Sequence, residues 1–238
     1  MKADATFGVI GAMESEVAQL RGALQNSETT DYCGLTFHSG TLGARRVVLV
    51  RCGVGKVNAA RCAQMLIDRF AVDCIVNTGI AGGVGEGLAV ADVVVGAELV
   101  QHDFDAVAFG YARGNICDAR HRDAPSIFCS DAELIAAFRA AAESLIDPAR
   151  VKTGRIATGD LFVASSEAKR DIAETFGAAA AEMEGGAIAQ VASMAGVPFI
   201  VLRAISDLAD GSSPGSFAEF EQETADLSAS ILRKMIEG

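Results

Sequence analysis

Basic charge is in short supply in this chain. Its 20 lysines and arginines face 31 aspartates and glutamates, for a formal net charge of −11. That balance excludes nucleic acid or an anionic membrane as the main partner, yet leaves room for a small ligand in a local pocket. Long apolar runs are also missing. None approaches the ~20 residues of a membrane-spanning helix, so no span is expected. The first apolar stretch ends at Glu14 without a small-residue cleavage site and does not read as a signal peptide. Metal-ligand spacing is absent too. The six cysteines (Cys33, Cys52, Cys62, Cys74, Cys117, Cys129) form no C-x-x-C pair, and His38, His102 and His121 carry no matching spacing. No metal is expected, and the cysteines read as reduced thiols in a cytoplasmic protein.

Nucleotide-cofactor motifs fail on inspection. Thr78-Gly79-Ile80-Ala81-Gly82-Gly83-Val-Gly85-Glu-Gly87 follows a strand, but its spacing is not G-x-G-x-x-G and another strand, rather than a helix, follows near Asp92. Its glycines serve either a tight turn or the close approach of a ligand. Gly53-Val-Gly55-Lys56-Val57 lacks the four-residue spacer of a phosphate loop and the Ser or Thr after its lysine. No cofactor is implied.

What is present is a chain of 238 residues, half of them hydrophobic, with no repeat, low-complexity tract or linker. It reads as one α/β domain over residues 1–238. Strand patterns at Phe7–Met13, Cys74–Thr78, Val93–Val100, Val151–Thr158 and Phe199–Ile205 alternate with helical ones. The helical segments are Glu14–Leu24, Gly55–Phe70, Asp131–Leu145 with Ser130 as N-cap, Ser166–Phe176, Glu184–Ala195 and Phe217–Ile236. A hairpin over Leu35–Ser39 and Arg46–Arg51 turns at Gly43. This alternation predicts a mixed, mostly parallel central sheet flanked by helices on both faces, with ligands bound outside the carboxyl ends of the strands.

Several acids sit at the ends of apolar stretches, where an ionised group needs a partner or a job. Glu14 and Glu16 stand where a strand becomes a helix. Residues two apart on a helix diverge, so one of the pair can face solvent and complement the helix dipole while the other faces the strand ends. Glu182 and Glu184 follow Ala178–Ala181. A solvated helix start would explain them, but Gly185-Gly186 costs about 1 kcal/mol per glycine in such a start and points to close packing or ligand approach. Asp207 ends a strand that lies deep in the sheet. Arg203, four residues earlier, shares its face by the two-residue strand period, and a buried arginine needs an anion that Glu184 or Asp207 can supply. Asp210 reads as a turn residue. Met13, Phe162 and Phe217 read as core by composition alone.

Taken in order, these motifs resemble those of the 5'-methylthioadenosine/S-adenosylhomocysteine nucleosidases of the nucleoside phosphorylase/hydrolase superfamily. The likeness runs through Ile10-Gly-Ala-Met-Glu-Ser-Glu16, Gly53-Val-Gly-Lys-Val57, Asn77-Thr-Gly-Ile-Ala-Gly-Gly83, His102-Asp, Ala108-Phe-Gly-Tyr111, Gly159-Asp-Leu-Phe-Val163, Glu182-Met-Glu184 and Arg203-Ala-Ile-Ser-Asp207. It implies a nucleoside phosphorylase-like fold and a cofactor-free hydrolase that releases adenine from a 5'-thio-substituted ribose. It assigns Glu16 to activation of water, Asp207 to protonation of adenine N7 and Glu184 to the ribose hydroxyls. Met183 would lie beneath the sugar, Phe162 against the base and the Val163 backbone at the adenine edge. Met13, Ala81, Gly82, Ser206 and Phe217 would complete the cleft, with Arg203 orienting the acids. The resemblance also implies a homodimer in which Val107, Phe109 and Tyr111 reach the partner's pocket. Two departures are Ile80, where many members have Ser, and Cys117, where several have Pro.

The chemistry suits these residue types independently. Cleaving an N-glycosidic bond builds oxocarbenium character that nearby carboxylates stabilise. Adenine leaves poorly as an anion and needs a general acid, and water needs a base. Carboxyls on opposite sides of the scissile bond match the inverting arrangement of glycoside hydrolysis. The competing readings are a hydrolase for futalosine or its aminodeoxy form, a purine nucleoside phosphorylase, and a non-catalytic nucleoside-binding protein.

Overall fold

Phe7, Val9 and Ile10 belong to an uninterrupted apolar run. In the computed structural model, which describes residues 4–211 and 213–238, they form a buried strand, β1 (Thr6–Gly11). Helix α1 (Glu14–Ala23) follows, then a meander of β2 (Gln25–Tyr32), β3 (Leu35–Leu42) and β4 (Arg45–Arg51). Next come α2 (Lys56–Phe70), β5 (Cys74–Gly83) and β6 (Val93–Gln101). A 3-10 turn at Val107–Phe109 leads to β7 (Phe128–Cys129), α3 (Ala132–Glu143) and β8 (Val151–Thr158). The chain ends with α4 (Ser166–Phe176), β9 (Ala178–Glu182), α5 (Gly185–Ala195), β10 (Phe199–Asp207) and α6 (Ser213–Glu237).

All ten strands join one mixed sheet, in which β2, β3, β4, β1 and β5 lie side by side. Beyond β5 the order runs β9, β8, β6 and β10, and β10 returns to pair with β5, so these five strands close on themselves. The pairings β1–β4, β1–β5, β5–β10, β6–β8 and β8–β9 are parallel. Antiparallel pairs hold the edge meander and join β10 to β6 and β9 to β5. The helices cover both faces. One core layer joins Val17 and Leu20 of α1, Phe138 of α3 and Ile231 and Leu232 of α6 to Phe7, Val76 and Leu202. The other joins Cys62 and Leu66 of α2 and Ile188 and Ala192 of α5 to Ile10, Ile75 and Val201. The carboxyl ends of β1, β5 and β10 therefore meet at one rim, between the two helical layers.

Three local expectations change, and one strand has no signature in the sequence pattern. Strand β2, QNSETTDY, is exposed along nearly its whole length, so it carries no apolar alternation to read; its pairing with β3 holds it. Ala178–Ala181 forms a buried strand instead of a helix start, because pairing with β8 and β5 outweighs alanine's helical preference. Asp131, not Ser130, caps α3, accepting from the Leu134 amide at 3.0 Å. Gly79, Gly82 and Gly83 make no turn, because β5 continues through Gly83 and the chain turns only at Glu86–Gly87; the missing side chains of Gly79 and Gly82 admit Glu16 and Asp207.

Candidate active site

A cavity of about 410 Å3 opens at this rim. Ala12 and Met13 follow β1, Ile80, Ala81 and Gly82 belong to β5, and Ser206 and Asp207 end β10. Leu161, Phe162 and Val163 come from the segment after β8, Ala181 to Glu184 from the end of β9, and Val54 and Phe217 close the sides. Of the residues expected in the cleft, all but Arg203 line it. Arg203 lies behind the wall, fully buried among the acids.

Glu16 is fixed by the way α1 begins. As the third residue of the helix it reaches back to the exposed amides of the first turn. Its Oε2 accepts from the Ala12 and Met13 amides at 2.6 and 2.9 Å, and its Oε1 from the Ile80 amide at 3.1 Å. Burial pushes its pKa up, against the opposing pull of Arg203 and these amides. Glu14 faces solvent and pairs with Arg21. The pair thus divides as helix geometry requires.

Glu184 is the residue before α5. Its Oε1 accepts from the Gly55 amide at 2.8 Å, which ties the Gly53-Val54-Gly55 loop to the cleft. Burial and the neighbouring Glu182 carboxylate push its pKa up to about 8, against Arg203 and the Gly55 amide. Asp207 is 1 % exposed and accepts from the Ala209 amide at 2.8 Å and the Ser206 hydroxyl at 3.0 Å. Phe162, at the lip, meets Phe217 edge to face at 5.6 Å between ring centres.

Arg203's closest anion is Glu182, with the expected Glu184 also at ion-pair distance and Asp207 not engaged. The Arg203 guanidinium hydrogen-bonds the Glu182 carboxylate and the Asn77 side chain, the latter at 2.6 Å, and stands 3.8 Å from Glu184. The register of β10 shifts between Ile205 and Asp207, which breaks the two-residue alternation expected from Arg203, and Asp207 is held by Ser206 and Ala209 instead. Glu182 also accepts from the Thr158 hydroxyl and from the amides of Glu184 (3.0 Å) and Gly185 (2.7 Å). It therefore aligns the start of α5 and positions Glu184 as well as neutralising Arg203. The cue to this network was Arg203 itself, one cation in an apolar strand. Its partner lies on another strand, beyond the reach of a periodicity argument.

The glycines answer to packing. A Cβ on Gly79 would lie 2.4 Å from Glu16 Oε1. On Gly186 it would lie 2.8 Å from the Thr158 hydroxyl, and on Gly185 2.8 Å from Val201. Close packing is thus the reason for the Gly185-Gly186 pair. Sequence reasoning passed over Ala12, Val54, Leu161 and Ala181, small or apolar residues with no chemistry to announce them. Val107, Phe109 and Tyr111 lie outside this cavity. Val107 and Phe109 are 52 % and 78 % exposed, and Tyr111 carries the Arg122 guanidinium over its ring. Among the described residues no cluster of His, Cys, Asp and Glu could hold a metal ion.

The phosphorylase superfamily pattern matches residues 6–237. A 5'-methylthioadenosine/S-adenosylhomocysteine nucleosidase of Anoxybacillus flavithermus is 42% identical over 232 residues, 97% of either chain. The chain belongs to this nucleosidase family. The crystal structure of the nucleosidase from Neisseria meningitidis, in complex with methylthio-immucillin-A, superposes with a TM-score of 0.91 at 41% identity, covering 98% of this chain and 99% of that one. A futalosine hydrolase of Helicobacter pylori has the same fold at lower identity, 33% with a TM-score of 0.89, covering 98% of this chain and 97% of that one.

Proposed function

We propose that the protein hydrolyses the N-glycosidic bond of 5'-methylthioadenosine and S-adenosylhomocysteine, releasing adenine and a 5-thio-substituted ribose. The observation that carries this reading is the convergence of Glu16, Glu184 and Asp207 on one cavity with largely apolar walls. Glu16 acts as general base toward water. Its burial raises its basicity, and its amide contacts fix its direction. Asp207 delivers a proton to adenine N7, and Glu184 holds the ribose hydroxyls. Met183 and Met13 flank the sugar, while Phe162 and Phe217 stack and enclose the base beside the Val163 backbone. Ala81 and Gly82 leave the space that a larger residue would fill, and Ser206 orients Asp207. Arg203 orients the acids through Glu182.

The reading includes a homodimer of single-domain subunits, each lending Val107, Phe109 and Tyr111 to its partner's pocket. Exposed Val107 and Phe109, with the half-buried Tyr111 beside them in sequence, offer apolar surface of the kind that marks an interface. It also includes a cytoplasmic location and a place in thionucleoside breakdown and methionine salvage. Six free cysteines suit a reducing compartment, and among the described residues no helix is long and apolar enough to cross a membrane.

The test is adenine release from 5'-methylthioadenosine, S-adenosylhomocysteine, adenosine, inosine and aminodeoxyfutalosine. The expected result is preference for the two thio-nucleosides. Preference for the futalosine-type substrate would transfer the chain to the other hydrolase, and no release from any of them would refute the reading.

A further inference from the structure

A second cavity, about 810 Å3, adjoins the cleft and shares Ala12, Met13 and Val54 with it. Three elements build it. Helix α1 supplies Glu14, Val17 and Arg21. Register places His38 opposite Leu49, and by the two-residue strand period Thr36, His38, Leu49 and Arg51 project from one face of β3 and β4. Helix α2 closes it with Asn58 and Arg61.

Its charge runs against the rest of the molecule. In a chain of net charge −11, three arginines and a histidine surround this space and one carboxylate faces them. Arg21 is committed to Glu14, and Arg61 donates to the Cys33 carbonyl. His38 Nδ1 lies 3.4 Å from the Thr29 hydroxyl. The side chain of Arg51 forms neither a hydrogen bond nor an ion pair with any described residue, although its charge helps lower the pKa of Glu14. Arg51 ends β4 at the position paired with Gly11, one residue before the shared Ala12-Met13 wall. An uncommitted guanidinium therefore lines the second cavity, on the strand next to the one that leads into the shared wall.

We propose that this annex receives the polar end of an amino-acid 5'-substituent, with Arg51 binding its carboxylate and Glu14 lying within reach of its ammonium group. The inference rests on the nucleosidase reading and names a specificity-determining residue for it. A 5'-methylthio group is short and uncharged; a homocysteinyl group extends past its sulfur and carries both charges. Arg51 would then separate the two substrates without touching the reacting bond, and a planar guanidinium suits a carboxylate better than an ammonium does.

The experiment is steady-state kinetics on both thio-nucleosides with wild type, Arg51→Gln and Arg51→Lys, with thermal melting to verify folding. In Arg51→Gln the KM for S-adenosylhomocysteine should rise on the order of tenfold, what one partly exposed charge-assisted hydrogen bond supplies. Its kcat should hold, both constants for 5'-methylthioadenosine should move less than about twofold, and Arg51→Lys should recover part of the loss. Raised salt should weaken S-adenosylhomocysteine binding in wild type and have little effect in Arg51→Gln. An equal change for both substrates, or none for either, overturns the inference and leaves the nucleosidase reading standing. So does a wild type active on 5'-methylthioadenosine alone. A wild type that cleaves neither overturns both.

Discussion

Replacing Gly79 by alanine adds one methyl group at the most constrained point of the site. The new Cβ would lie 2.4 Å from Glu16 Oε1, 3.0 Å from its Cδ and 3.4 Å from an Arg203 nitrogen. Ordinary contact begins near 3.4 Å, so the carboxylate has to retreat by about 1 Å. Glu16 cannot swing freely. Its Oε2 is held by Ala12 and Met13, so the contact that yields is the 3.1 Å bond from the Ile80 amide to Oε1. Two costs follow. A buried amide left without its acceptor destabilises the fold by about 1–3 kcal/mol. A base displaced by about 1 Å loses on the order of a hundredfold in kcat. Binding, which depends on the other walls of the cleft, should change little. Steady-state kinetics on 5'-methylthioadenosine with a melting curve reads both. A double-mutant cycle isolates the cause: on a Glu16→Gln background already lacking the base, Gly79→Ala should cost little further activity. A folded Gly79→Ala enzyme within about threefold of wild-type kcat would refute the reasoning.

Other outcomes follow from the same geometry. Asp207→Asn keeps the shape but removes the proton donor, so turnover should fall by at least ~10²–10⁴-fold with ligand binding retained; near-wild-type activity would remove Asp207 from the mechanism. Glu16 must be ionised to act, and its pKa is raised, so the acid limb of kcat/KM should lie above the ordinary value of 4.5 and disappear in Glu16→Gln. Stability takes the opposite sign. Glu184 binds its proton more tightly folded than unfolded, so its contribution is full below pH 4.5 and lost as pH rises through about 8; Glu184→Gln should flatten the fall in Tm across that window. Phe109→Asp should weaken the proposed dimer in light scattering and raise the KM for thio-nucleosides, since it would set a charge where the proposed interface has a ring; a fully active monomeric wild type would end the shared-pocket idea.

The sequence made some parts of this architecture legible and hid others for identifiable reasons. Strands buried on both faces, such as β1 and β10, announce themselves as continuous apolar runs, and the acids at their ends stand out because burial makes them costly. Strand β2 has no buried face to pattern, and the alanines of β9 satisfy helix and strand alike until their partners are known. The same limit hid Glu182. Its tie to Arg203 spans two strands separated by 21 residues in the chain, and only the closed arrangement of β5, β9, β8, β6 and β10 brings them together. The division of labour between Glu14 and Glu16, by contrast, follows from helix geometry alone.

The central claim is that water, activated by Glu16, takes the ribose from adenine. The most direct measurement is product identification after incubation with 5'-methylthioadenosine in metal-chelated buffer, with and without inorganic phosphate. The account predicts equal rates in both and a free 5-methylthioribose as the sugar product. A requirement for phosphate, with a sugar 1-phosphate as product, would contradict it.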